Sequence, residues 1–361
     1  MLRTGASSLG RSLRLSPSPL QAARCYSNGG ATGESSPGPS SSSSRSGGNS
    51  SSSSNNDPET HFGFQSVPEA LKESMVGGVF SSVSSSYDVM NDAMSLGIHR
   101  LWKNHFVSTV LDPRGGINCL DVAGGTGDIA LRILDHARTA HADRETRVSM
   151  LDINADMLRE GMVRCKRESM YWGTDQLGFQ LGNAERLGER MVVPPPTSKK
   201  AIYRQLPELK SEPVPDSSVD LYTIAFGIRN CTHIDQVLKE AYRVLKPGGV
   251  FGCLEFGKVG NPYFAELYRQ YSFRILPSLG HLLASDSASY QYLVESIERF
   301  PSQPDFAQMI REAGFCTPGV GQGSQIIEEA GLGQEYWAKA GGKDWEDLSG
   351  GIASIWVGVK L

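Results

Sequence analysis

The stretch INCLDVAGGTGD, Ile117 to Asp128, opens as a short apolar run, reaches an acid at Asp121, and then places Gly124, Gly125 and Gly127 within four residues. A helical pattern from Asp128 to Ala137 follows, so the spacing predicts a strand, a tight turn and a helix. Glycines at such a turn let backbone N–H groups approach a ligand closely, where the helix also presents its unpaired amides. Three glycines at a strand end argue against a plain turn. They do not name the ligand, because Gly125, Thr126, Gly127, Asp128, Ile129 and Ala130 also satisfy the GxGxxA spacing of dinucleotide loops.

The same alternation continues downstream. Val148 to Ile153 reads as a second strand leading into a helix over Ala155 to Cys165, with further strands at Gly178 to Leu181 and Val219 to Ala225. In the helix that follows, Ile234, Val237, Leu238, Ala241, Val244 and Leu245 form one apolar stripe, stopped by Lys246, Pro247 and Gly248. Val250 to Phe256 returns as a fifth strand, and two late strands, near Phe315 to Val320 and Ile352 to Val359, complete the set. Repeated βαβ units predict an α/β fold, a mostly parallel seven-stranded sheet of Rossmann-like type with helices on both faces. Two inserts, about Gly188 to Glu212 and Gly321 to Gly350, read as surface excursions.

Residues at successive strand ends discriminate between ligands. Asp121, beside the loop, suits an ammonium group and repels a pyrophosphate. Asp152 is an acceptor-only group for two ribose hydroxyls, a feature that nicotinamide enzymes share. GNAERL, Gly182 to Leu187, sets Asn183 and the backbone of Ala184 toward an adenine edge. Together these favour S-adenosylmethionine (SAM), with Asp121, Gly125, Gly127, Asp152, Asn183 and Ala184 as the expected cofactor contacts.

Composition narrows the rest. The first thirty residues carry Arg3, Arg11, Arg14 and Arg24, many serines and no acid before Glu34. Leu2, Ala6, Leu9 and Leu13 at helical spacing make this a transit-peptide pattern over residues 1–26, with RCYS read as the cleavage site. Losing those arginines takes the formal net charge from −4 to −8, so a nucleic-acid partner is not expected. Residues 27–60 are Ser, Gly, Asn and Pro, a disordered linker by composition. A domain of 61–361 remains, with no apolar run near the roughly 18 residues that span a bilayer. The six cysteines are scattered without a CxxC pair. No metal site is expected, since His136 and His141 are five apart and would not share a helical face.

Five longer strings carry a family resemblance: VFSSVSSSYDVMNDAMSLGIHRLWK from Val79, LDVAGGTGD from Leu120, FGIRNCTHIDQVLKEAYRVLKPGG from Phe226, LEFGKV from Leu254, and SYQYLVESIERFPSQPDF from Ser289. In them the chain resembles the ubiquinone/menaquinone C-methyltransferase family over most of its length from about Thr60. The resemblance implies a class I SAM-dependent methyltransferase acting on a ring carbon of a polyprenyl benzoquinol, with Thr126, Asp152, Asn183 and Ala184 in cofactor contact. It also implies a mitochondrial enzyme on the matrix side of the inner membrane, peripheral to it and held in a multiprotein ubiquinone-synthesis assembly. Ala225 stands where bacterial relatives carry a serine, and Ser86 where a lysine is usual.

Methyl transfer to carbon needs an aligned, activated ring and a dry site. Arg229 and Asn230 are the expected catalytic pair, because ligands of open α/β sheets bind outside the strand ends. Arg229 is assigned to a developing phenolate, directly or through a water that takes the proton, and Asn230 to a ring oxygen. Tyr87 is the expected third wall. Plainer readings stand beside each: an ion pair with a surface carboxylate for Arg229, a helix cap for Asn230, a core aromatic for Tyr87. Glu255 stays outside the catalytic set as a structural acceptor. The aromatic-rich segment from Asn261 to Ser285, interrupted at Pro277, reads first as core or as the face of a homodimer, and second as a seat for a prenyl tail or a membrane surface. An NAD(P)-linked oxidoreductase and a non-catalytic scaffold are the competing functions.

Overall fold

Period-two alternation along the central strands dictates two cores. In β3 (Asn118–Val122) Cys119 points into one core, while Leu120 and Val122 point into the other. Val148 and Met150 of β4 (Arg147–Asp152) join the first, Leu151 the second. A strand buried on both faces needs helices on both. The computed structural model of the chain describes residues 58–83, 92, 95, 97–275, 287–319 and 343–361. The transit-peptide expectation, nearly all of the linker and Tyr87 lie outside these residues; Glu59 and Thr60, placed in the linker by composition, belong to a strand.

The described residues begin with an antiparallel hairpin of β1 (Glu59–Phe62) and β2 (Gln65–Pro68), then α1 (Glu69–Val83). Helix α2 (Ile98–His105) runs on into a π-helical turn, Phe106–Leu111. The sheet is then laid down as β3, α3 (Asp128–His141), β4, α4 (Ala155–Glu168), β5 (Leu177–Leu181), β6 (Val219–Ala225), α5 (Ile234–Val244) and β7 (Leu245–Phe256). After α6 (Pro262–Gln270), α7 (Ser287–Arg299) and α8 (Gln303–Glu312) come β8 (Trp345–Leu348) and β9 (Ala353–Val359). The strand order is β5-β4-β3-β6-β7-β9-β8, and β9 alone runs against the others. This is the expected mostly parallel, seven-stranded Rossmann-like sheet.

Helices α3 and α4 pack with the π turn on one face, and α5 and α8 on the other. Each fully buried Leu, Ile or Phe there contributes about 1.5–3 kcal/mol. The side of the crossovers changes between β3 and β6, which leaves a crevice at their C-terminal ends. Two non-glycine residues at that point have left-handed backbones, Ala123 (φ 53) and Phe226 (φ 55), each a strain of about 1–2 kcal/mol. The chains there are so close that a Cβ on Gly227 would lie 2.5 Å from Ala123 Cβ.

Three sequence readings need correction. Phe315 to Val320 forms no strand over its described residues; Cys316 makes one bridge to Val359. The seventh strand is Trp345–Leu348, from the second insert, an edge strand whose two acids, Glu346 and Asp347, sit between Trp345 and Leu348. The first insert is not wholly a surface excursion, because Tyr203 and Leu209 are buried and Leu181 N–H donates to Lys210 O at 2.7 Å, which covers the β5 edge. That pairing satisfies backbone groups an edge strand otherwise exposes.

Candidate active site

A cavity of about 770 Å³ opens at the C-terminal ends of β3, β4, β5 and β6. Asp121, next to last in β3, lies at the cavity floor, 1% exposed. Its Oδ1 accepts from Thr223 Oγ1 at 2.8 Å, while its buried Oδ2 has no hydrogen-bond partner. Gly124 keeps that oxygen open, since a Cβ there would stand 3.1 Å from Oδ2. Burial pushes the Asp121 carboxyl up to about 7, against the hydrogen bond from Thr223 and the backbone amide of Ala130. An acceptor held dry without a donor fits a cationic ligand group.

Asp152 ends β4 one strand away. Its Oδ2 accepts from Gly125 N–H and its Oδ1 from Asn154 N–H, at 2.9 and 2.8 Å. Burial raises it to about 6 although both amides favour the ionised form. Each oxygen keeps a second lone pair for a further donor, as a vicinal diol requires. Asn154 also starts α4, its side chain accepting from Asp156 N–H and Met157 N–H. Asn183 and Ala184 follow β5 on the same wall, with Asn183 Oδ1 accepting from Glu185 N–H at 2.8 Å.

Of the expected cofactor contacts, Asp121, Gly125, Thr126, Asp152, Asn183 and Ala184 line the cavity, and Gly127 does not. Gly127 (φ 85) starts α3, and a Cβ there would press on Met150 at 3.1 Å, so its work is strand-to-helix packing. The donor set fits SAM: Asp121 for its ammonium, Asp152 for its ribose, Asn183 and the Ala184 backbone for its base.

Helix α1 forms the opposite wall with Glu69, Ala70, Glu73, Val76, Gly77 and Phe80. Lys72, 2% exposed, donates to Cys231 O at 3.0 Å, and Asn154 Nδ2 donates to Gly77 O and Ser81 Oγ at 3.1 Å. Sequence reasoning missed this wall, because α1 has no apolar stripe. It also missed Lys103, which pairs with Asp128 at 2.8 Å on the cavity rim, and Glu185, which accepts from Thr232 N–H and His233 N–H. The lysine stood in the quoted HRLWK string and the glutamate in GNAERL.

The expected catalytic pair separates. Asn230 lines the cavity; it ends a 3-10 turn, and His233 precedes α5, so the helix-cap reading of Asn230 is excluded. Its Oδ1 accepts from Tyr292 Oη at 3.0 Å, which turns Nδ2 into its free donor. Arg229 is not on the cavity wall. Its guanidinium pairs with Glu255 at 2.8 Å, donates to Phe226 O and lies 5.2 Å from the Phe256 ring centre, while its Nε has no acceptor. The carboxylate partner is fully buried rather than on the surface, and its burial raises the Glu255 carboxyl despite Arg229. The helical spacing argument for His136 and His141 also fails: both rings turn onto Asp112.

Comparison with known proteins agrees with this geometry. The model of the "ubiE/COQ5 methyltransferase family" matches residues 69–191 and 206–323. The gap falls within the first insert. A Schizosaccharomyces pombe protein named "2-methoxy-6-polyprenyl-1,4-benzoquinol methylase, mitochondrial" is 52% identical over 84% of this chain and 84% of its own length. Proteins of that name from Drosophila melanogaster and Homo sapiens are 49% and 44% identical, each over 71% of this chain and 78% of their own. With an acid-floored nucleoside crevice, and with a match running from α1 past α8, the chain belongs to the ubiE/COQ5 methyltransferase family.

Proposed function

We propose that the chain methylates a ring carbon of a 2-methoxy-6-polyprenyl-1,4-benzoquinol in mitochondria, with SAM as methyl donor. The observation that carries this reading is the unpartnered Asp121 oxygen beside Asp152 at adjacent strand ends. A pyrophosphate beside Asp121 meets repulsion, which disfavours the NAD(P) alternative. The relatives' names supply the acceptor.

SAM, when bound, supplies an electrophilic methyl on a sulfonium. The chain's own residues then do three things. Asp121 and Asp152 hold the two polar ends of the cofactor, fixing where the methyl points. Helix α1, pinned by Lys72 and Asn154, shields the cavity from water. Asn230 Nδ2, freed by Tyr292, donates to a ring oxygen, and Arg229, behind the cavity wall and paired with Glu255, is assigned to the phenolate that forms, acting through the water that takes its proton. Arginine has a pKa above about 12 and works here as a charge rather than a base. Tyr87 keeps its assignment as a third wall.

Among the described residues no helix is long and apolar enough to cross a membrane. We place the protein peripherally on the matrix side of the inner membrane, within a multiprotein ubiquinone-synthesis assembly. Helix α6 supports this: it buries no residue, and Tyr263 and Leu267 are 88% and 67% exposed. That exposure removes the core reading for those two side chains. The test is a methyl-labelled SAM assay with a short-tail benzoquinol. Label on the ring carbon is the expected result, and no transfer by a SAM-binding protein would favour the scaffold reading.

A further inference from the structure

Far from the cofactor cavity, at the opposite end of the sheet, three metal-ligating side chains meet. Asp112 follows the π turn before β3, and His136 and His141 lie in the last turns of α3. His136 Nε2 and His141 Nε2 stand 2.7 and 2.5 Å from one and the same oxygen, Asp112 Oδ1. The other oxygen, Oδ2, accepts from Arg114 Nη1 at 2.6 Å. The two imidazoles meet edge to face with centroids 5.2 Å apart. None of the three lines the cavity.

We propose that Asp112, His136 and His141 form a binding site for one divalent transition-metal ion, with zinc the best match to two imidazole nitrogens and one carboxylate oxygen. Four observations support it. All three ligand atoms fall within 4.8 Å of one another. Bonds of about 2.0–2.2 Å in a tetrahedron put ligand atoms about 3.3 Å apart, so the rings need only open by under about 1 Å. Arg114 on the second oxygen is the outer partner that a monodentate carboxylate ligand uses to hold its orientation. The site lies at the C-terminus of α3, where the helix dipole favours a cation. The side chains are 15–25% exposed, so a water has access to the fourth position. A metal there would tie the entry of β3 to the end of α3.

The test uses the full chain, stripped with a chelator and titrated with zinc and with cobalt(II). The expected result is one zinc per chain with a dissociation constant of about 1 μM or tighter, raising the thermal midpoint by roughly 5 °C at saturation. His136→Gln and His141→Gln each weaken binding at least tenfold, while His105→Gln, paired with Glu346 elsewhere, leaves it unchanged. X-ray absorption of zinc on the unaltered chain, expected to count two histidine nitrogens, keeps the test decisive should a variant fail to fold. Absence of stoichiometric binding, zinc without histidine nitrogen, or affinity indifferent to both substitutions overturns the proposal.

Discussion

The two halves of the cavity are built differently. On the cofactor side each residue sits at the end of its own strand and is held by the turn that follows or by the neighbouring paired strand: Asp121 by Thr223, Asp152 by Gly125 and Asn154, Asn183 by Glu185. Around Asn230, on the wall proposed for the acceptor, the supporting pairs join different elements and lie behind the lining: Arg229 with Glu255 26 residues away, Asn230 with Tyr292 62 away, Lys72 with Cys231 159 away. A site made of strand ends and the turns between neighbouring strands is fixed once its strands pair. A site made of long-range buried pairs depends on the whole fold, so its residues affect stability and turnover together.

The comparison breaks most readily at Arg229. Arg229→Ala leaves Glu255 buried without its countercharge, a loss of about 3–5 kcal/mol in stability by denaturant unfolding. Adding Glu255→Gln should recover part of that loss; equal stability of wild type and Arg229→Ala would deny the pair. Turnover of whatever folds is expected to fall, with SAM affinity near that of the wild type.

On the cofactor side, Asp152→Ala removes acceptors for the ribose and is expected to weaken SAM about 100-fold, consistent with two charge-assisted hydrogen bonds. Near-normal affinity by equilibrium dialysis would displace the ribose from that strand end.

The same acids set a pH dependence. Asp121 and Asp152 ionise at about 7 and about 6 in the free protein, raised by burial. A cation binds their ionised forms, so SAM affinity should fall about tenfold between pH 8 and pH 6. The stability of the ligand-free protein runs the other way. Each folded carboxyl holds its proton longer than the unfolded one, so stability is lost as pH rises from about 4 to about 7. A flat affinity profile would show that no cation meets Asp121.

The smallest effect is expected at Tyr292. Tyr292→Phe frees Asn230 Oδ1 and should lower kcat about three- to tenfold, the value of one hydrogen bond, without changing SAM affinity. An unchanged kcat would leave Asn230 oriented by other means.

The same division explains what the sequence disclosed. Asp121, Asp152 and Asn183 were legible because a strand-end acid or amide beside a glycine turn carries its meaning within a dozen residues. The alternation in β3 to β7 was equally local. Tyr292, Glu255 as partner of Arg229, and the cluster at Asp112 were not, because their meaning arises only when elements far apart in the chain pack. The seventh strand was missed because Trp345–Leu348 is a short edge strand with two acids, whereas Phe315 offered apolar residues that pack against Phe251 instead.

A calorimetric titration of the purified chain with SAM, and separately with NADH and NADPH, tests the central claim most directly. One saturable SAM site with no binding of either nicotinamide nucleotide is the predicted result. Binding of a nicotinamide nucleotide by a chain that ignores SAM would contradict it.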